Sequence, residues 1–452
     1  MIDIYNSQKV QSIFNFAFED NFESNSAFLF YRIDEVNQQT KITINLGKES
    51  EFNSKKARRA GAKAIKIAKS LGFSSVLVNL NDKSKPEFIE GAILATYEPR
   101  NWKSEQKNNT FDLFFNNIDN PKIVEEILVL CQSVFFARNL TNTPPNKLTP
   151  SIMAQEMKER AEKYNIEVEI KDENEIKALK MGAFLAVGES SANPPRLIVL
   201  RYNGNPDSDE RIGLVGKGIN IDTGGYCIKP GNSMVTMKTD MAGGAAVCAS
   251  LIALARNKVK INAVAVIPSA ENRISNSSFV PGDIIDSMSG KTIEIGNTDA
   301  EGRLLLADGI TYAIKEEGVT KVVDIATLTG AVITMFGKTT AGLMTNDDNF
   351  YNAFVNASEI SGEQYWRLPD FEEYKNLIKT PNADLYNTSN DGCGTIAAAL
   401  FVGAFCQGLP WIHLDIAGTG RVDPPKWEFQ SKGASGAGVS TIYQLCKVLS
   451  CS

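Results

Sequence analysis

Histidine is almost missing from this chain: among 452 residues there is one, His413. Serine-type triads, His-rich zinc sites and most imidazole general bases need at least one well-placed histidine. His413 lies in Trp411-Ile412-His413-Leu414-Asp415-Ile416, a buried-strand pattern in which a satisfied core histidine is the expected reading. Any hydrolytic chemistry must therefore be built from carboxylates, lysine, arginine and metal. Cysteine pairs are missing too, since the seven cysteines are scattered without a C-x-x-C and their number is odd. That suits free thiols in a reducing compartment better than a disulfide framework. No stretch approaches the ~18 continuous apolar residues of a membrane span. Met1-Ile2-Asp3-Ile4-Tyr5 lacks a basic region followed by an apolar run, so no signal peptide is expected. A net charge of -6 leaves no basic footprint for nucleic acid. The best local candidate, Lys55-Lys56-Ala57-Arg58-Arg59, reads as a solvated helix face. These absences predict a cytoplasmic protein with no membrane partner, and they argue against nucleic acid.

What is present is an α/β chain. Hydrophobic residues at 43% and charged residues at 22% are those of a soluble globular protein, and 452 residues exceed one ordinary core. Residues 1–138 read as a small α/β domain with strand-like stretches at 27–31 and 75–78. A helix over 54–71 stops at Gly72, and a second spans 121–138. No reactive constellation falls there, so a scaffold or assembly role is expected. The polar, proline-rich run 139–150 is the expected linker, and Ser151 is placed to cap a helix over 151–164. From about 180 onward, near-continuous apolar runs at 197–200, 212–215, 263–267, 322–325 and 411–416 alternate with helices near 241–256, 303–316 and 395–408. That pattern predicts a larger domain, 151–452, with a mostly parallel central sheet covered by helices on both faces.

Chemistry concentrates in Asn297-Thr298-Asp299-Ala300-Glu301-Gly302-Arg303, between a strand-like Thr292–Ile295 and a helical Leu304–Ile310. Two carboxylates on a strand-to-helix connection either bind a cation or complement a helix dipole. A second glycine-rich stretch, Gly216-Lys217-Gly218-Ile219-Asn220-Ile221-Asp222-Thr223-Gly224-Gly225, follows a strand. It fails as a Walker loop, because two residues rather than four separate Gly213 from Gly216 and Gly218 follows Lys217. It fails as a dinucleotide fingerprint because Ile221 stands where the third glycine belongs. What remains is Lys217 and Asp222 at strand-end spacing, with Lys229 and Asp240 further on. Three aspartates and a glutamate at element ends of one sheet could converge on two divalent ions. Two such ions roughly 3.5–4 Å apart hold a water and lower its pKa. A lysine beside them would bind only as the neutral amine, and the other, left cationic, could polarise a carbonyl.

Asn297 to Asp308 resembles the signature of the leucyl aminopeptidases, also called cytosol aminopeptidases (the M17 metallopeptidases). The likeness extends through Val215–Gly218, Asp222–Gly225, Lys229-Pro230, Met237–Met241, Pro281–Asp283, Ala326–Ala331 and His413–Gly418, and residues 137–144 resemble the family's linker. It covers roughly residues 135–445. The resemblance implies that Asp222 and Glu301 bridge two metals. Lys217 and Asp240 would complete one position, and Asp299, by side chain and carbonyl, the other. Lys229 would steady the scissile carbonyl, and Arg303 would hold a bicarbonate ion as general base. Met237, Thr327, Gly330 and Ala417 match the pocket for the first side chain, although core packing would explain them as well. Peptide substrates, a leucine-like preference and a homohexamer follow from the same resemblance, and the metals could be zinc, manganese, magnesium or cobalt. Some relatives also bind DNA, which is the alternative function. The chain departs from the family at Thr223, where Ser is common, and at Cys393-Gly394-Thr395, where Gly-Ala is common; either could alter specificity. Cys227 reads as an inert small core residue.

Overall fold

The computed structural model describes residues 12–18, 28–36, 39–80, 85–105, 111–389 and 391–451. The chain divides into two compact units, Met1–Phe135 with Asp423–Lys432, and Phe136–Val422 with Gly433–Ser452.

In the first unit β1 (Ser12–Ala17), β2 (Tyr31–Val36), β3 (Gln39–Asn45), β4 (Ser75–Asn79) and β5 (Asp112–Asn116) form one sheet in the order β2-β3-β1-β4-β5. Only β2 is antiparallel to its neighbour. Of the strand expected at 27–31, Ala27 lies outside the described residues, Phe28 and Leu29 form a turn, and the strand starts at Tyr31. The helix Ser54–Ser70 is capped by the Asn53 side chain, which accepts from Lys56 N, and is followed by Gly72 in the left-handed region at φ +80°. It lies hard against the helix Lys85–Ala95: a Cβ on Gly61 would stand 2.1 Å from Phe88 O, and one on Gly91 1.9 Å from Arg58 O.

That approach corrects the solvated reading of residues 55–59. Arg58 is buried, and its guanidinium donates to Glu90 at 2.8 and 2.6 Å. Arg59 makes a two-pronged contact with Glu428 at 2.6 and 3.0 Å, and Lys55 Nζ sits 3.8 Å over the Trp427 ring. Helix faces this close leave no water for an arginine between them, so a carboxylate must neutralise it.

The second unit is built on β6 (Glu167–Lys171), β7 (Arg196–Asn203), β8 (Ile212–Gly216), β9 (Gly218–Asp222), β10 (Asn262–Asn272), β11 (Ile284–Asp286), β12 (Thr292–Glu294), β13 (Lys321–Ala326), β14 (Thr340–Thr345), β15 (Gln364–Arg367), β16 (Leu385–Tyr386) and β17 (Trp411–Asp415). The main sheet runs β15-β14-β17-β13-β8-β10-β7-β6, with β9 also on β10. Its centre, β17-β13-β8-β10, is parallel; the pairs β14–β17, β10–β7 and β7–β6 are antiparallel. β8, β9, β10 and β17 are buried along their whole length; in β8, β10 and β17 this gives apolar runs, while β9 alternates because Asn220 and Asp222 are buried polar residues. Helices cover both faces: Ala242–Arg256 packs on Val439–Ser450, while Gly302–Lys315 packs on Gly182–Gly188 and Gly394–Gly403. The apolar run Met237–Arg256 is long enough to cross a membrane by composition, and here most of it is buried as a core element.

Two local readings change. Residues 139–142 complete the helix Pro121–Asn142. The next helix, Pro150–Ala161, is capped by Thr149 rather than Ser151, because Pro150 takes the first helical position, where its missing N–H costs nothing. His413 is a core residue: it is fully buried, with Nδ1 2.6 Å from Asp324 Oδ1, and Trp411 Nε1 donates to the other carboxylate oxygen at 2.7 Å.

Candidate active site and metal centre

β8 and β9 are consecutive stretches of one line of chain, both paired to β10 and interrupted at Lys217. The interruption is held by backbone. Lys217 N donates to Ile325 O at 3.1 Å, and Lys217 O accepts from Gly244 N at 2.8 Å. Glycine permits it, since a Cβ on Gly243 would stand 2.1 Å from Ile325 O. Lys217 is thereby sent inward at the end of β8, and Asp222 stands at the end of β9. Asp240 ends the 3-10 turn Met237–Thr239, and Asp299 and Glu301 lie just before the helix Gly302–Lys315.

These residues meet. Lys217 Nζ lies 2.8 Å from Asp240 Oδ2, 2.9 Å from Glu301 Oε1 and 3.1 Å from Thr327 O. Lys229 Nζ lies 2.8 Å from Asp222 Oδ2 and 2.6 Å from Asp299 Oδ1. One oxygen each from Asp222, Asp299 and Glu301 fall within 4.8 Å of one another. Lys217, Asp222, Asp240 and Glu301 are all buried. Four carboxylates therefore share two ammonium groups, and the acids respond. Burial first, then Asp222, pushes Glu301 up to about 8. Burial raises Asp240 to about 7 against the pull of Lys217. Burial opposes the Lys217 charge, but Asp240, Glu301 and Asp222 outweigh it and hold the amine well above its usual range.

The donor set fits a divalent cation. Glu301 Oε2 is buried with no hydrogen-bond partner among the described residues, beside carboxylates that carry more negative charge than the lysines return. Hard oxygens with one amine suit zinc, manganese, magnesium or cobalt. Arg303 stands apart from the ion pairs: its Nε and Nη1 are buried without an acceptor among the described residues, and burial pulls it down to about 10 against Glu301 and Asp415. Of the four pocket candidates, Met237, Thr327 and Ala417 are partly exposed and Gly330 is exposed; a Cβ on Gly330 would meet no atom within 4 Å. Gly330 alone of the four borders open space; the other three are half-buried.

Three further residues order the site. Asn272 donates through Nδ2 to Asp222 Oδ1 at 2.9 Å and to Thr298 O at 3.0 Å. Thr298 Oγ1 donates to Gly224 O at 2.7 Å and accepts from Cys227 N at 2.8 Å, tying the Asp299 loop to the Lys229 loop. Asn387, fully buried just after β16, accepts from Gly296 N and Asn297 N at 2.8 and 3.2 Å and donates to Asn297 O and Ala300 O at 2.8 and 3.5 Å. A polar residue closing the apolar strand β10 was a visible signal for Asn272; Asn387, in a polar loop, gave none. Thr223 Oγ1 also joins in, donating to Asn272 O at 2.8 Å. Cys227 is only half-buried, which corrects its reading as a core residue: it sits on the loop that carries Lys229, outside the apolar interior.

Comparison with known proteins shows the family. The catalytic-domain model of the cytosol aminopeptidase family matches residues 135–443, and its N-terminal-domain model matches 23–106. The chain belongs to the cytosol aminopeptidase family. It is thus a metallo-aminopeptidase. Relatives include the probable cytosol aminopeptidases of Clostridium perfringens, 42% identical over 92% of this chain and 88% of that one, and of Alkaliphilus oremlandii, 42% identical over 93% and 87%. Among solved structures, the bottromycin maturation enzyme BotP superposes with a TM-score of 0.90 at 28% identity, covering 98% of this chain and all of that one. The same enzyme in complex with Mn gives a TM-score of 0.89.

Proposed function

We propose that this aminopeptidase uses two divalent ions to release N-terminal residues, leucine-like ones by preference, from peptides. The convergence of Lys217, Asp222, Asp240, Asp299 and Glu301, with Glu301 Oε2 left without a partner, carries the reading. Asp222 and Glu301 would face both ions, Lys217 and Asp240 one, and Asp299 the other. Once bound, the ions would supply Lewis acidity and lower the pKa of the attacking water. Lys217 would ligate only as the neutral amine, so loading must release its proton. Lys229, freed from Asp222 and Asp299 as the ions neutralise them, would hold the scissile carbonyl and the charge that develops on its oxygen. Arg303, with two buried donors lacking acceptors, would hold bicarbonate as the proton acceptor that histidine supplies elsewhere. Met237, Thr327, Gly330 and Ala417 would receive the first side chain. We assign residues 1–138 to assembly, of a homohexamer working in the cytoplasm, as the name of the family suggests.

The test is hydrolysis of leucine-p-nitroanilide after chelator treatment and return of Mn or Zn, with Asp299→Ala and Glu301→Ala alongside. Activity that needs metal and is lost in both variants is expected; an inactive, folded protein with every metal would sink the reading. The DNA-binding alternative draws no support from residues 55–59, whose arginines are spent on Glu90 and Glu428. Retention of duplex DNA with a steep salt slope would revive it.

A further inference from the structure

Behind the pocket candidates lies a carboxylate that takes no part in the ion pairs of the metal centre. Asp415, the last residue of β17, is fully buried. Its Oδ1 accepts from Leu328 N at 3.2 Å, Ala417 N at 3.1 Å and, at 3.5 Å, Thr329 N. Its Oδ2 accepts from Thr329 Oγ1 at 2.6 Å. Thr329 has one hydroxyl proton, and Asp415 takes it. The contact of 3.0 Å between Thr329 Oγ1 and Thr395 Oγ1 must then be donated by Thr395. Thr329 Oγ1 also caps the helix Gly330–Phe336 through Val332 N at 3.1 Å. One carboxylate and one hydroxyl thus fix three separate stretches: Thr327–Gly330, the turn at Ala417, and the start of the helix Gly394–Gly403.

Those stretches carry Thr327, Gly330 and Ala417, three of the four pocket candidates. Exposure separates the layers, for Asp415, Thr329 and Thr395 are buried while Thr327 and Ala417 are half-buried and Gly330 is open. Within the outer layer Thr327 also touches the metal centre, donating through Oγ1 to Asp240 Oδ1 at 2.8 Å and offering its carbonyl to Lys217 Nζ, so the layer behind it is the place to alter the pocket without touching a metal ligand.

We propose that Asp415, acting through Thr329 and Thr395, is a positioning residue that sets the width of the first-side-chain pocket, an inference that rests on the aminopeptidase reading above. It also gives the unusual Cys393-Gly394-Thr395 sequence a place, since Thr395 is the third member of the network and a Cβ on Gly394 would lie 3.3 Å from Ala331 Cβ. Substituting this network changes which side chain fits, not whether metal binds.

The experiment compares kcat and KM for leucine-, alanine- and phenylalanine-p-nitroanilide in wild type, Thr329→Val, Thr329→Ser and Asp415→Asn, with Mn affinity measured by calorimetry. Thr329→Val keeps the shape and removes the hydroxyl; Thr329→Ser keeps the hydroxyl. The expected result is a change of about tenfold or more in the leucine-to-alanine ratio of kcat/KM for Thr329→Val and Asp415→Asn, chiefly through KM. Thr329→Ser should stay near wild type, and Mn affinity should hold within about twofold in all. Equal losses on every substrate, or Mn affinity falling in step with activity, would overturn the proposal. A wild type inactive on all three with metal present would overturn the aminopeptidase reading and the proposal with it.

Discussion

Lys217 is packed against a residue with no side chain: a Cβ on Gly302 would lie 2.5 Å from Lys217 Cε and 2.6 Å from its Nζ. The glycine after Glu301 is therefore the floor on which the lysine reaches Asp240 and Glu301. Gly302→Ala must push the ammonium away from both. A displacement of about 1 Å at a reacting group can cost 10²-fold, so kcat/KM for leucine-p-nitroanilide should fall by about two orders of magnitude. Circular dichroism should be unchanged, which separates a displaced lysine from a lost fold.

Asn387→Ala removes the partner of four peptide groups in the loop that carries Asp299. Outer residues that orient metal ligands typically alter affinity 10–100-fold. Competition against a chromogenic chelator should show Mn or Zn bound weaker by about that factor. Unaltered affinity would mean that the loop holds its shape without Asn387.

Asp308 offers a pH readout of stability away from the metal centre. It is buried in the helix Gly302–Lys315 and accepts from Phe184 N at 2.9 Å and Met288 N at 2.8 Å. Burial pushes its carboxyl up to about 7, partly offset by those N–H groups. A folded pKa above the unfolded value means that the folded state holds the proton more tightly. Its contribution is full below about pH 4 and is lost as pH rises through about 7. The Tm of wild type minus that of Asp308→Asn should therefore fall between pH 4 and pH 8. A difference that stays flat would show that the carboxyl ionises normally.

In the first unit, Arg58→Ala would strand Glu90 in a buried position. Breaking one side of a buried pair costs about 3–5 kcal/mol, so thermal or urea unfolding should show the first unit lost earlier. A double variant, Arg58→Met with Glu90→Leu, should recover much of that stability because no charge is left unpaired.

How much of this was legible in the sequence depends on whether the partner lay nearby. The strands of the parallel core showed in their apolar runs, because burial on both faces leaves no alternation to hide them. Asp299, Glu301, Lys217 and Asp222 stood out at the ends of such runs, but on residues alone the two carboxylates also fitted a helix dipole, and it was the family resemblance that grouped the four. Asn387 did not, because its meaning lies in bonds to residues some ninety positions earlier. Nor did Arg58: four basic residues among five suggest water until a glycine on the facing helix brings the backbones together. The sequence places Lys217 and Asp222 at strand ends but does not show that β9 continues the line of β8 past Lys217, since adjacent glycines look alike in a loop and in a strand that must make room for a helix.

The first unit draws on two stretches of chain, Met1–Phe135 and Asp423–Lys432. Synthesis delivers Arg59 about 370 residues before Glu428 and Trp427. Until then Arg59 and Lys55 have neither the carboxylate nor the ring that receives them. This unit is thus closed only after most of the other has been made, and a fragment ending at Phe135 would lack a piece of its own structure.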